Sequence, residues 1–187
     1  RGKKTIISMM VCALRRQKLA FDYALTSKVD SLPNRVHLSY EARIALIEGD
    51  EHITSALDKR FQLEFYRPHI AILTNLSPEA YLSTYQSFSV SIEREGKLIY
   101  FGGDDTVSQL AGDVRSDITA IPFEEHPVVE KDGQTFLHTR YGDYPVRIPN
   151  RYFLINLNAA RLACRQLGVK DADFYQALSE YSLSLPI

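Results

Sequence analysis

Apolar side chains crowd the start of the chain: Ile6, Ile7, Met9, Met10, Val11, Ala13 and Leu14 leave almost no polar face, and the cations Arg15, Arg16 and Lys18 follow them. The pattern predicts a helix over residues 4–17, buried nearly all round, with positive charge at the end where the helix dipole favours it. Two short apolar runs, Ile44 to Ile47 and Ile70 to Leu73, are continuous rather than alternating. Such runs suit strands covered on both faces of a parallel sheet. After the second run, Tyr81 to Ile92 has helical spacing, with Pro78 and Glu79 where a helix start accepts proline and favours acid. Lys97 to Phe101 then reads as a strand and Thr106 to Leu110 as a short helix. Strands alternating with helices up to about residue 121 predict an α/β fold. Its sheet is doubly wound and mostly parallel with flanking helices, and ligands of such sheets gather at the carboxyl ends of strands.

The period changes near Ile118. From there to Ile148, Thr135 to Arg140 and Asp143 to Arg147 alternate, Tyr141-Gly142 separates them, and Asp132-Gly133 supplies a tight turn. A small antiparallel sheet is therefore expected over about 118–148. Two helices close the chain: Leu154 to Leu167, stopped by Gly168, and Asp171 to Tyr181, opened by an aspartate cap and ended near Pro186. With no internal repeat and no low-complexity linker, residues 1–187 read as one domain, large enough for a full core.

Charge and cysteine usage narrow the partners. Lys and Arg number 22 against 23 Asp and Glu, a formal net charge of −1, so no global field recruits nucleic acid or an anionic membrane. No apolar run reaches the roughly 20 residues that span a bilayer, and no signal peptide precedes the first helix, which leads to the expectation of a cytoplasmic protein. Cys12 and Cys164 each fall in a helical pattern with no further cysteines to make a ligand cluster, and read as buried reduced thiols.

The candidate chemistry begins at Gly2-Lys3-Lys4-Thr5, which runs straight into the first apolar helix. Backbone N–H groups at such a junction bind nucleotide phosphates. A complete phosphate loop reads G-x-x-x-x-G-K-[ST], its lysine reaching the terminal phosphates and its hydroxyl holding Mg²⁺. Here the hydroxyl position is Lys4, and a basic N-cap turn is the competing reading. The strand leading into such a loop would lie before Arg1, so the expectation is a place in the sheet filled by residues outside this sequence or by a neighbouring chain. Glu48, Asp50 and Glu51 follow the run ending at Ile47 and are either oxygen ligands for Mg²⁺ or a solvated acidic turn. Thr74-Asn75 ends the next strand, with Glu79 on the helix start; Asn75 orients a water or substrate, or caps a turn. Among the scattered histidines only His52 adjoins the acidic turn, to ligate metal or to hydrogen-bond a carboxylate. Tyr81, Tyr85 and Phe88 share a helical face and read as core. Lys59-Arg60 and Arg67 face either a phosphate or acidic substrate, or solvent.

In this order and at these separations, Gly2-Lys3-x-Thr5, Glu48-Gly-Asp-Glu51, Asp58-Lys59-Arg60, Tyr66-Arg67-Pro68, Ile70 to Leu76 and Asp104-Asp105 resemble the central domain of the Mur ligases. The resemblance is strongest to the branch that joins UDP-N-acetylmuramate to L-alanyl-γ-D-glutamyl-meso-diaminopimelate, with the UDP-N-acetylmuramate:L-alanine ligases as near relatives. Pro149-Asn150-Arg151, Asn156 to Ala160 and Leu167-Gly168-Val169 resemble the segment that leads into the family's nucleotide-contacting helix, so the likeness covers nearly the whole chain. It implies an ATP-dependent amide ligase of cell-wall synthesis or recycling, in which a substrate carboxylate attacks the γ-phosphate and an amine displaces the acyl-phosphate. It makes Gly2, Lys3, Lys4 and Thr5 phosphate-loop residues with Lys3 catalytic, Asn156 nucleotide-binding, Asn75 and Arg151 substrate-side, and Glu48 the Mg²⁺ ligand. The implied cofactors are ATP and Mg²⁺, and the partners a UDP-N-acetylmuramate-type substrate and an amino acid or peptide. An N-terminal UDP-binding domain and a C-terminal ligase domain would lie outside this chain.

Four departures from the family pattern fall on chemistry: Lys4 for a threonine, Glu79-Ala80 for Asp-His, Asn150 for a glycine, and Tyr152-Phe153 for His-Asn. An ammonium has no lone pair to give a metal, so Lys4 is expected to stand in the metal's place and pair with Glu48. Two rivals follow, a non-catalytic Mur-like scaffold and another carboxylate–amine ligase such as a folylpolyglutamate-type enzyme.

Overall fold

A computed structural model describes residues 2–58, 60–76, 82–147 and 150–184, with side chains described as far as residue 179. Lys59, Pro78, Glu79, Ala80, Tyr81, Ile148, Pro149 and Pro186 therefore lie outside the described residues. In chain order the elements are α1 (Lys3–Arg16), β1 (Asp22–Ala24), β2 (Val36–His37), β3 (Ala45–Ile47), a short 3-10 turn (Gln62–Phe65), β4 (Ile70–Leu73), α2 (Leu82–Ser91), β5 (Lys97–Phe101), α3 (Asp105–Gly112) and β6 (Thr119–Phe123). They continue with β7 (Val128–Lys131), β8 (Gln134–Thr139), β9 (Gly142–Pro145), α4 (Arg151–Gln166) and α5 (Asp171–Ser184). They form two compact units, residues 47–124 and residues 2–46 with 125–187.

In the 47–124 unit the α/β alternation becomes a parallel sheet in the order β4-β5-β6, with Ile70 opposite Lys97 and Phe101 opposite Phe123 at its two ends. The central strand β5 supplies Leu98 and Ile99, both 0% exposed, and Leu98 joins Leu73, Tyr85, Phe88, Val107 and Leu110 in one apolar cluster. Tyr85 and Phe88 are thus core, as their helical spacing predicts. Asp104 caps α3 by accepting from the N–H groups of Thr106 and Val107, both at 3.0 Å, which satisfies two of the orphan donors of a helix start. Arg115 donates to the carbonyls of Val90 at 2.6 Å and Ile92 at 2.9 Å, closing the other end of α2. Its side-chain hydrogen bond to Asp117 holds that carboxyl at about 2.

Two sequence expectations are corrected. Thr119–Phe123, placed at the head of the antiparallel region, is the third parallel strand; Pro122 falls on this edge strand, where a missing N–H costs least. Ile44 to Ile47, expected in the parallel sheet, instead forms β3 in a separate three-stranded sheet of order β2-β1-β3. There its side chains alternate exposed, buried, exposed, so the continuous apolar run was not a sign of double coverage. β1 and β2 gave no pattern because their organiser is polar: Asp22, 8% exposed, accepts from the Ser39 backbone N–H at 3.0 Å and hydroxyl at 2.9 Å.

The other unit is built on three helices, with α1 packed on α4 and α5 and those two on each other. Val11, Leu14, Leu157, Ala159, Ala160 and Cys164 are all 0% exposed, and the alanines let the helices approach closely. Both cysteines are free; Cys164 is fully buried, which pushes its thiol up to about 12, while Cys12 is only partly covered. The strands β7-β8-β9 make the expected small antiparallel sheet, with Asp132-Gly133 at its turn. Asp171, expected to cap α5, lies within the helix and spends its carboxylate differently. Its Oδ2 accepts from Arg161 Nη1 at 2.8 Å, while its Oδ1 is buried with no hydrogen-bond partner.

His126 is 4% exposed, with Nδ1 2.8 Å from the Pro127 carbonyl and Nε2 2.8 Å from the Tyr175 hydroxyl. A carbonyl only accepts, so Nδ1 carries the proton and Nε2 accepts from Tyr175. The His126 ring meets Tyr175 edge to face, Tyr175 stacks on Tyr144, and burial pushes the Tyr175 phenol up to about 12. Burial also holds His126 below its ordinary 6.5.

Two outcomes are expected. The unfolded chain takes up the His126 proton more readily than the folded one, so the stability this group contributes is fully present above pH 6.5 and is lost as pH falls from there through the lower value of the folded state. Urea midpoints should fall between about pH 7.5 and about pH 5, with a shallower fall in His126→Gln; an unchanged slope in the variant defeats the assignment. Separately, the Thr84 hydroxyl is buried with no hydrogen-bond partner, and Thr84→Val should raise unfolding free energy by about 1 kcal/mol. A lower urea midpoint for that variant would count against it.

Candidate phosphate site

The residues that the sequence singles out fall in both units, and each unit is described by itself. In the helical unit, α1 opens at Gly2, whose φ of 94° and ψ of −6° place it in the left-handed region that glycine adopts without strain. Lys3, Lys4 and Thr5 form the first turn, which carries no acidic side chain. A helix start leaves four backbone N–H groups without intrahelical acceptors and presents the positive end of the dipole.

Asn156, on the second turn of α4, lies against this start. A Cβ at Gly2 would come within 2.3 Å of Asn156 Oδ1 and 2.7 Å of its Nδ2, so glycine is required there by space as well as by backbone. Asn156 is 7% exposed, and its amide flanks the helix start with little of the residue left open to solvent. The structure thus brings Asn156, distant in sequence, against Gly2 at the head of the turn that continues through Lys3, Lys4 and Thr5.

Lys4 is half exposed, and its ammonium lies 3.8 Å from the Asp30 carboxylate, which is 88% exposed. Asp30 carried no signal in the sequence, since nothing marks the 26–35 loop as a neighbour of α1. Arg151 opens α4 and pairs with Glu125 at 3.5 Å. The departure at Asn150 has a local reason: its side chain accepts from the Phe153 N–H at 2.9 Å and caps α4. Phe153 is core, and Tyr152 is 65% exposed.

In the parallel unit, Glu48 is buried at 6% exposure immediately after β3. Asp50 is engaged by His52, whose ring and backbone N–H both meet Asp50 Oδ1. Burial first, then the charges of Asp50 and Glu51, push the Tyr66 phenol up. The acidic turn is therefore neither fully solvated nor assembled as a ligand cage: among the described residues no three His, Cys, Asp or Glu side chains are grouped to hold a metal ion. With an ammonium where the loop hydroxyl would stand, the residues present do not fit a Mg²⁺ site of the kind the resemblance implies. Asn75 closes the turn after β4, accepting from the Thr74 hydroxyl at 3.1 Å and donating to the Leu76 carbonyl at 3.3 Å. Arg60 is committed to Asp58, whose carboxyl it holds at about 2, and Arg67 to Glu93 at 3.0 Å. Both cations thus have partners within their own unit.

No protein-family model matches the chain. A UDP-N-acetylmuramate–L-alanine ligase of an Arthrobacter species is 27% identical over 200 residues, an alignment covering 97% of this chain and 41% of the relative. The crystal structure of UDP-N-acetylmuramate:L-alanyl-γ-D-glutamyl-meso-diaminopimelate ligase from Neisseria meningitides superposes with a TM-score of 0.76 over 96% of this chain and 63% of that one, at 18% identity. A structure of L. casei FPGS gives a TM-score of 0.66 over 96% of this chain at 11% identity. The fold is that of the α/β domain in these solved structures. The sequence likeness is to the Mur ligases, and the chain spans about two fifths of the length of the curated relative it matches.

The contact between Gly2 and Asn156 is open to test. Gly2→Ala should cost about 1–2 kcal/mol from the positive φ alone, and more from the collision with the amide. Asn156→Ala in the same chain should relieve the second part. Additive losses in a double-mutant cycle followed by urea denaturation would show that the amide and the loop do not meet.

Proposed function

We propose that the chain is the ATP-binding central domain of a bacterial, cytoplasmic carboxylate–amine ligase of cell-wall synthesis or recycling, acting on a UDP-N-acetylmuramate-type substrate and an amino acid or peptide. The observation that carries this reading is the left-handed Gly2 at the head of α1 with Lys3 beside it and the Asn156 amide packed against it. It occurs in a chain similar to a UDP-N-acetylmuramate–L-alanine ligase through 97% of its length.

In the proposed reaction a carboxylate oxygen of the substrate attacks the γ-phosphorus of ATP, and ADP departs. The amine nitrogen then attacks the acyl carbon of the acyl-phosphate, inorganic phosphate leaves, and the nitrogen gives up a proton. The first-turn N–H groups of α1 cradle the phosphate oxygens, and Lys3 neutralises charge that builds on the transferred phosphoryl group. Asn156 holds the loop-side phosphate or ribose, and Asn75 and Arg151 act on the substrate side. Mg²⁺ on Glu48 is the family's arrangement, and no step is routed through it here because the donor set does not fit. Domains that bind the UDP sugar and the incoming amine complete the enzyme in this reading. A ligase of the folylpolyglutamate type is the second reading, supported by the likeness to the L. casei structure.

The test is ADP release by the whole protein with ATP, UDP-N-acetylmuramate and either L-alanine or the murein tripeptide. Amine-dependent release is expected, falling by about a hundredfold or more in Lys3→Ala. Release that requires a folate-type acceptor would move the assignment to the second reading. No acceptor-dependent release by wild-type protein would leave a ligand-binding scaffold.

A further inference from the structure

Two ammonium groups stand in the first turn of α1, Lys3 and Lys4, with no acidic side chain beside them in that turn. They add to the positive end of a 14-residue helix, and the amide of Asn156, a residue 7% exposed, lies against Gly2 at the head of that turn. The arrangement is built for a polyanion. What it lacks is a seat for the cation that normally accompanies a nucleoside triphosphate. Mg²⁺ demands oxygen donors in near-octahedral geometry, and the loop position that would give a hydroxyl gives the Lys4 ammonium, which has three donors and no acceptor. A divalent ion brought to that position would also meet a positive charge within a few ångströms, a repulsion that only water could screen.

The Lys4 partner found in the structure is weak. The Asp30 carboxylate is 3.8 Å away, and the two side chains are 88% and 50% exposed. An ion pair of that exposure is screened and easily exchanged, so a triphosphate carrying three or four charges displaces it.

We propose that this site binds the polyphosphate of a nucleotide free of Mg²⁺, with the Lys4 ammonium placing at the terminal phosphates the positive charge that a metal ion would otherwise supply and Asp30 holding Lys4 until the phosphate arrives. The inference rests on the nucleotide reading above and adds to it the ionic form of the ligand. It also gives Lys4 and Lys3 separate tasks: Lys4 replaces the metal, and Lys3 serves the transferred group.

The test is calorimetric titration of the whole protein with ATP in excess EDTA and again with Mg²⁺. Wild-type protein is expected to bind ATP in EDTA within threefold of its affinity with Mg²⁺, and Lys4→Arg to stay within about fivefold of wild type because the charge is kept. Lys4→Thr should lose at least tenfold in EDTA and recover with Mg²⁺. Asp30→Asn should bind ATP severalfold more tightly in EDTA, a gain that a merely structural Lys4–Asp30 pair would not give. Thermal melts of each variant without ligand show that the fold is intact. Wild-type binding that is tenfold or more tighter with Mg²⁺, together with unchanged EDTA affinity in Lys4→Thr, overturns the proposal while leaving the nucleotide reading in place. No ATP binding by wild-type protein in either condition overturns both.

Discussion

Everything proposed for the helical unit depends on how closely α4 approaches the first residue of α1. The bare Cα of Gly2 sits where any side-chain carbon would strike the Asn156 amide. That approach is possible because α1 is apolar on nearly every face and because α4 offers alanines along the seam. The packing of α1, α4 and α5 is therefore the condition for the site, not a background to it. A helix start in solution would bind its orphan N–H groups to water. Here one flank of that start is occupied by the Asn156 amide, which can both donate and accept.

The charged side chains divide into two groups. Arg60 with Asp58, Arg67 with Glu93, Arg115 with Asp117 and Lys131 with Asp143 are local pairs that brace turns and strand ends. At the head of α1 the first turn itself carries no acidic side chain, and Lys4 reaches the exposed Asp30 on a separate loop. A near-neutral chain can in this way carry a concentrated positive site without a global field. Recognition of an anionic ligand then depends on one helix end rather than on the protein's net charge, and salt should affect it less than it affects a broad basic surface.

What could be read from the sequence follows from the range over which each signal acts. The α1 pattern, the strands β4 and β5 and the caps of the closing helices are local, and periodicity finds them. The alternation of β8 and the turn at Asp132-Gly133 likewise placed the antiparallel sheet. The sheet of β1 and β2 escaped because a buried aspartate holds it, and composition weighs Asp22 as a surface residue. The run at Ile44 misled because three apolar residues in a row look the same whether one face is covered or two. Within the site, Gly2, Lys3 and Asn156 were named from a motif and a resemblance, yet their contact is tertiary and no spacing could give it. Asp30 was invisible for the same reason: its relevance comes only from where its loop folds. Asn150 shows the converse, a residue that departs from a family pattern for a local purpose, since it caps the helix that it begins.

The two ends of α4 have a shared consequence. At one end Asn150 fixes the first turn; one and a half turns beyond Asn156, Arg161 is tied to both Asn158 and the buried Asp171. Asn156 lies between these anchors, and each residue of an α-helix advances about 1.5 Å along the axis. A Cβ at Gly2 would stand 2.3 Å from the amide oxygen, so a shift of one such step is a large part of the distance available. The helix thus acts as a gauge whose zero is set on either side of Asn156. Sequence change near Arg161 and Asp171, far from any phosphate, can therefore retune the site by length alone, with no new contact made.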